Sequence, residues 1–138
     1  MFQKKINVST DGRDTYSITS IVQNMVRESG IKTGICYIFL KHTSASLILC
    51  EKADPSVRED LENFMSRFVL DGDPIYSHRD EGPDDMSAHI RSILTHNDLS
   101  LPVTDGLCDL GVWQGIFLWE HRISPHDRTI VITVMGTD

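Results

Sequence analysis

A chain of 138 residues with 13 basic and 20 acidic side chains carries a formal charge of −7, which argues against nucleic acid or an anionic membrane as its partner. Its 40% hydrophobic and 24% charged content is that of one globular domain over residues 1–138, large enough to bury a core without disulfides or a structural metal. The longest apolar run, Gly34 to Leu40, is too short to span a bilayer, and residues 1–10 lack a secretory hydrophobic stretch, so a soluble cytoplasmic protein is expected.

In chain order, Phe2 to Val8 alternates as a strand does and ends at the turn signal Ser9-Thr10-Asp11-Gly12. A short strand through Tyr16 and Ile18 follows. Ile18, Ile21, Val22, Met25 and Val26 then recur at helical spacing, with Thr19 or Ser20 as the cap and Gly30 as the stop. Gly34 to Leu40 reads as a central strand buried on both faces, and Leu47 to Cys50 as another apolar strand. Between them lies Lys41-His42-Thr43-Ser44-Ala45-Ser46, a polar loop held firmly at both ends.

Asp54-Pro55 is a cap followed by proline at the first helical position, and Val57, Leu61, Phe64, Met65 and Phe68 mark the core face of a second helix. Gly82-Pro83 opens a third helix from Asp84 to about Thr95, with Met86, Ile90, Ile93 and Leu94 as its apolar stripe. Leu99 to Val103 is a short strand and Thr104-Asp105-Gly106 a turn. Leu107 to His121 is a strand pair or one bent strand. Within it Gln114, Ile116, Leu118 and Glu120 face one way and Trp113, Gly115, Phe117 and Trp119 the other. Thr129 to Met135 closes the chain as a β-branched strand. Strands outnumber helices and several are consecutive, which favours an α+β fold.

Chemistry concentrates between His78 and His96, where three histidines and four carboxylates surround one helix start. Acids at a helix N-terminus have a structural explanation, since each offsets the helix dipole by about 0.3–1 kcal/mol. That explanation leaves His78 and His89 unaccounted for, with Asp85 four residues before His89 and so on the same helix face. Cys36, Cys50 and Cys108 form no Cys-x-x-Cys pair and read as free thiols. His96, His121 and His126 read as surface or turn residues, and no Gly-x-Ser-x-Gly elbow supports a serine hydrolase.

The motifs His42-Thr-Ser-Ala-Ser46, Glu51…Asp54-Pro55, His78-x-x-Glu81-Gly82-Pro83-Asp84-Asp85-Met86-x-Ala88-His89-Ile90, Leu101-Pro102-Val103-x-x-Gly106 and Gly111-x-Trp113-Gln114-Gly115-Ile116 together resemble the YjbQ-like family over nearly the whole chain. The resemblance implies a two-sheet α+β sandwich with flanking helices, assembled as a homotrimer. It also implies a histidine- and carboxylate-rich pocket, and a thiamine phosphate synthase-like activity joining hydroxymethylpyrimidine diphosphate to a thiazole phosphate. Glu51, Asp85, Gln114 and Glu120 then stand as catalytic candidates, and Thr43, Ser44 and Arg128 as contacts to a small phosphorylated ligand. Cys50 and Lys52 replace asparagines common in the family, Val112 replaces a threonine and Asp98 a serine. These departures keep open a non-catalytic protein that binds a metal or a phosphorylated ligand.

An anionic phosphate ester beside Glu81, Asp84 and Asp85 would need a neutralising cation. The expectation is therefore a divalent metal, zinc or magnesium, on His42, His78 and His89 with Asp85 as ligand or orienting group, or a strong contribution from Arg79, Arg122 or Arg128. The alternative is that these histidines are hydrogen-bonded loop anchors. Trp113 and Trp119 are expected in the core or in trimer packing.

Overall fold

The computed structural model describes all residues from Met1 to Asp138. Eight strands and three helices run in the order β1 (Phe2–Thr10), β2 (Asp14–Ser17), α1 (Thr19–Ser29), β3 (Thr33–Leu40), β4 (Ala45–Glu51), α2 (Pro55–Phe68), α3 (Asp85–Leu94), β5 (Asp98–Thr104), β6 (Leu107–Cys108), β7 (Gln114–Glu120) and β8 (His126–Thr137). One sheet has the order β1-β8-β3-β5-β6 and the other β2-β7-β4, and every ladder is antiparallel. This is the expected α+β architecture. A main core of 17 residues fills the space between the sheets and under α1, with Ile38, Leu40, Leu47, Ile116, Leu118, Ile130 and Ile132 almost fully buried. The other face of β7 sends Phe117 and Trp119 into a smaller cluster with Met65 and Val69. The two-way alternation read from residues 113–120 is thus what positions the two cores.

Local signals act as their chemistry requires. Gly30 takes φ 73° at the end of α1, and its amide caps the Arg27 carbonyl. Asp54 Oδ1 accepts from the Ser56 amide, worth about 1 kcal/mol to α2. Thr19 is not a cap. It is the first residue of α1, and its hydroxyl accepts from the Ile116 amide, which ties the helix start to β7.

Three packing expectations are corrected. β3 is central in its sheet but buried on one face only, because no layer covers the other, where Ile35 and Phe39 are exposed. On α2, Met65 is buried while Phe64 and Phe68 are exposed. The third correction concerns α3, whose buried side consists of Asp85, Ser87, Ala88 and Arg91 while Ile93 is 82% exposed and Leu94 also faces out. This helix is docked by polar contacts. Arg91 Nη1 donates to Glu62 of α2, Ser87 to Asp71, and Ser92 to the Ala45 carbonyl of β4. Asp84 and Arg91 lie seven residues apart, on one helix face, so the polar stripe has the same period as the apolar one and wins the interior.

Candidate functional site

The loop from Lys41 to Ser44 carries the chain from the five-stranded sheet to the three-stranded one, and each of its last three residues is pinned. His42 Nε2 accepts from the Thr129 amide at 2.8 Å. The Thr43 carbonyl lies 2.9 Å from His89 Nδ1. The Ser44 carbonyl accepts from the His121 amide and from Arg128. The first turn of α3 is brought against this loop by Arg122, which donates to Asp84 Oδ2, Asp85 Oδ1 and the Glu81 carbonyl, each at 2.9 Å.

The result is a cluster of His78, Asp85 and His89, whose ligand atoms all lie within 4.8 Å of one another. Asp85 Oδ2 is 2.7 Å from His78 Nε2 and 3.1 Å from His89 Nε2, and Asp85 is almost fully buried. Burial opposes ionisation of Asp85, but the hydrogen bond from His78 and the charges of His89 and Arg122 outweigh it and hold the carboxyl below its ordinary pKa. His89 is the informative member. A carbonyl can only accept, so Nδ1 must donate to Thr43, and a neutral ring then turns the bare lone pair of Nε2 toward an ionised oxygen. That contact needs either a second proton on the ring or a cation between the two atoms.

The donor set fits a divalent cation: two imidazoles, one carboxylate, and a backbone carbonyl holding one ring through its other nitrogen.

Other predicted residues fall elsewhere. His42 is close by, but its lone pair is consumed by the Thr129 amide, so its proton sits on Nδ1, 3.4 Å from Arg128 Nη1. Burial and that guanidinium lower its pKa. His42 is therefore a donor and not a member of the metal cluster. Ser44 and Arg128 are structural, because Arg128 is buried against both oxygens of Glu120 and against the Ser44 hydroxyl. Burial works against the Glu120 charge, but Arg128, Thr10 and the Arg122 amide outweigh it and depress its pKa. Glu120 and Arg128 thus form a buried, closed pair within the chain, apart from the His78–Asp85–His89 cluster.

Glu51 and Gln114 pair with each other at the end of the β4–β7 ladder opposite the Ala45–Glu120 pair. Six residues at about 3.3 Å each put them roughly 20 Å from that end. Glu51 accepts from the Asp54 amide and Gln114 from the Gly111 amide, so within one chain these two candidates do not join Asp85. Trp119 is buried as expected, with its indole donating to Glu62, whereas Trp113 is 62% exposed.

Arg122 is fully engaged by the acids and the Glu81 carbonyl, whereas Arg79, tied to the Tyr76 and Pro74 carbonyls through Nε and Nη2, is exposed and keeps Nη1 free beside His78. His96 is exposed and His126 half-buried, as surface or turn positions would be, but His121 is not. It is completely buried and pairs with the Ser46 hydroxyl through Nε2. Burial and the nearby charges of Arg91, Arg13 and Arg128 push its pKa down to about 3. The sequence offered one signal for this placement: His121 directly follows the buried run of β7.

The class defined by this geometry is a two-sheet antiparallel sandwich carrying a His-Asp-His cluster where a sheet-crossing loop meets a polar-docked helix. The chain belongs to the YjbQ-like UPF0047 family, whose model matches residues 4–137. It is 46% identical to a UPF0047 protein of Synechocystis over 97% of this chain and 91% of that one. It is 40% identical to the UPF0047 protein YjbQ of Escherichia coli O157:H7 over 98% of both. Its fold matches a YbjQ-like protein of unknown function from Sulfolobus solfataricus with TM-score 0.88 and 29% identity, covering 98% of this chain and 96% of that one. A conserved hypothetical protein from Thermus thermophilus superposes with TM-score 0.86 at 30% identity, over 96% and 99% of the two chains. No helix is long and apolar enough to cross a membrane.

Proposed function

We propose that this protein binds a divalent cation at His78, Asp85 and His89 and uses it to hold the phosphate groups of a small ligand, in a thiamine phosphate synthase-like transfer. The observation that carries the reading is the convergence of His78, Asp85 and His89, whose ligand atoms lie within 4.8 Å of one another, with His89 oriented by the Thr43 carbonyl behind its ring so that Nε2 faces Asp85 Oδ2 at 3.1 Å. The closed pairs of Arg122 and Arg128 add to it, since they leave the exposed Arg79 as the one guanidinium of the three with a free edge for an anionic ligand.

In the proposed reaction the thiazole nitrogen forms a bond to the pyrimidine methylene as the bond to pyrophosphate oxygen breaks. A bound cation would supply the charge stabilisation that the departing pyrophosphate needs. Asp85 and the two imidazoles would hold that cation, and Arg122 keeps Asp85 ionised and oriented. The rest of the rate comes from fixing two reactants at one place.

A second reading, a non-catalytic metal- or phosphorylated-ligand-binding protein, is favoured by the ladder position of Glu51 and Gln114. Two of four catalytic candidates stand at the far end of the sheet. In both readings the protein is a cytoplasmic homotrimer, for which the exposed Ile35, Phe39 and Met135 on the open sheet face supply an apolar surface. Light scattering then gives three times the chain mass of 15.6 kDa, and a monomer mass at micromolar concentration removes the assembly.

The experiment is titration of chelated protein with Mn²⁺, Mg²⁺ and Zn²⁺, followed by assay with the pyrimidine diphosphate and thiazole phosphate. About one ion per chain, lost in Asp85→Asn, with cation-dependent product supports the transferase. One ion per chain without product selects the binding protein. No cation bound under any condition overturns the cation site, and failure to bind either phosphorylated substrate as well overturns both readings.

A further inference from the structure

Two cavities flank the His78–Asp85–His89 cluster, and they differ in character. His78 lines one of about 270 Å³ together with Asp73, Tyr76 and Arg79. His89 lines the other, about 450 Å³, whose seven lining residues include no lysine, arginine, aspartate or glutamate. The rings of His78 and His89 are only 5.4 Å apart, so one small ligand can reach across both.

The larger cavity carries uncommitted hydrogen-bonding groups. Neither the Thr43 hydroxyl nor the Asn97 side-chain amide has a partner elsewhere in the chain, whereas His42 has its Nε2 filled by the Thr129 amide and its Nδ1 turned to Arg128 Nη1 at 3.4 Å. The Ser92 hydroxyl is spent on the Ala45 carbonyl, and Ile93 forms an apolar wall. His42 is kept neutral by burial and by Arg128, which is itself neutralised by Glu120. An anion placed here would meet no unpaired charge, and an uncharged ring with donor and acceptor edges would meet two complementary groups, the Thr43 hydroxyl and the Asn97 amide, and an apolar face.

Building on the proposed cation site, we infer that the cavity between His42 and Asn97 binds the uncharged, hydrogen-bonding heterocyclic part of the ligand. The ligand's anionic end lies over His89 toward His78 and Asp85. Thr43 and Asn97 are thereby specificity residues that read the ring edge, and the cation holds the charge.

The test uses the full chain and two separate probes in titration calorimetry and saturation-transfer NMR: the uncharged alcohol 4-amino-5-hydroxymethyl-2-methylpyrimidine, and inorganic pyrophosphate. The pyrimidine is expected to bind with or without chelator, to lose about tenfold or more in affinity in Asn97→Leu and in Thr43→Val, and to change less than about twofold in His78→Ala. Pyrophosphate is expected to bind only with the cation and to ignore Asn97→Leu. Failure of the pyrimidine to bind wild-type protein, or equal binding to Asn97→Leu, overturns the cavity assignment. A pyrimidine that binds as expected while pyrophosphate binds with no cation refutes the cation reading and leaves the cavity standing.

Discussion

Acidification from pH 7 to pH 5 should destabilise this protein chiefly through His121, with His42, whose pKa is also lowered, contributing in the same direction. In the folded chain the pKa of His121 lies at about 3, and in the unfolded chain near 6.5, so the neutral ring is a property of the fold. A depressed folded pKa contributes stability that is complete above the unfolded value and is lost as pH falls from about 6.5 toward 3, because only the unfolded chain takes up the proton there. At about 1.4 kcal/mol per unit, the interval from pH 7 to pH 5 removes roughly 2 kcal/mol.

Asp71, Asp84, Asp85 and Glu120 also have lowered pKa values, but their contributions fade only as carboxylates begin to protonate, below about pH 4.5. Urea unfolding at fixed protein concentration, with chelator present, measures the loss by the fluorescence of Trp119, whose ring centroid is 5.1 Å from that of His121. His121→Gln should start less stable and lose far less over the same interval. Parallel losses in the two proteins would refute the assignment of a buried neutral imidazole.

Glu120→Ala leaves Arg128 buried without a countercharge and should cost about 3–5 kcal/mol, read as a lowered urea midpoint. The double replacement Glu120→Leu with Arg128→Met should recover much of that loss, and a single variant as stable as wild type would refute the closed-pair description. Gly34→Ala places a Cβ 1.9 Å from the Met135 carbonyl oxygen on β8, and separation of β3 from β8 should cost at least about 2 kcal/mol in thermal melts. Gly30→Ala meets nothing within 4 Å and should lose only about 1 kcal/mol, from the left-handed backbone alone. Equal melting of the two glycine variants would count against the close β3–β8 approach.

The fold was legible where one local signal decided the outcome. Gly30, Asp54-Pro55 and the alternation through Ile116, Phe117, Leu118 and Trp119 each fix backbone or facing by chemistry confined to a few residues. α3 was not legible, since Met86, Ile90, Ile93 and Leu94 outscore a polar stripe whose partners, Glu62, Asp71 and Ala45, are distant in sequence. The cluster was half legible. The spacing of Asp85 and His89 placed them on one helix face, and His78 followed from the same motif. The consumption of His42 by the Thr129 amide and of Arg122 by three acceptors depends on long-range pairing that no spacing records. His121 was misjudged because a titratable ring is expected outside, and the burial of Glu120 and Arg128 against each other was likewise out of sight, since their partners come from other strands.

The pairing of β1 with β8 has a consequence for how the chain is made. Phe2 lies opposite Val134 and Thr10 opposite His126, so β1 leaves the ribosome more than a hundred residues before the strand it pairs with. β3 waits for the same strand on its other side. Until β8 emerges, the three-stranded sheet and its helices can form, but two prospective neighbours of the missing strand stand with open edges and with Ile6, Ile38 and Leu40 uncovered. Non-local closure of this kind is slow and exposes aggregation-prone edges while it is pending. Nascent-chain proteolysis should therefore show late, nearly simultaneous protection of β1 and β3, and truncation within β8 should yield insoluble protein rather than a trimmed, folded one.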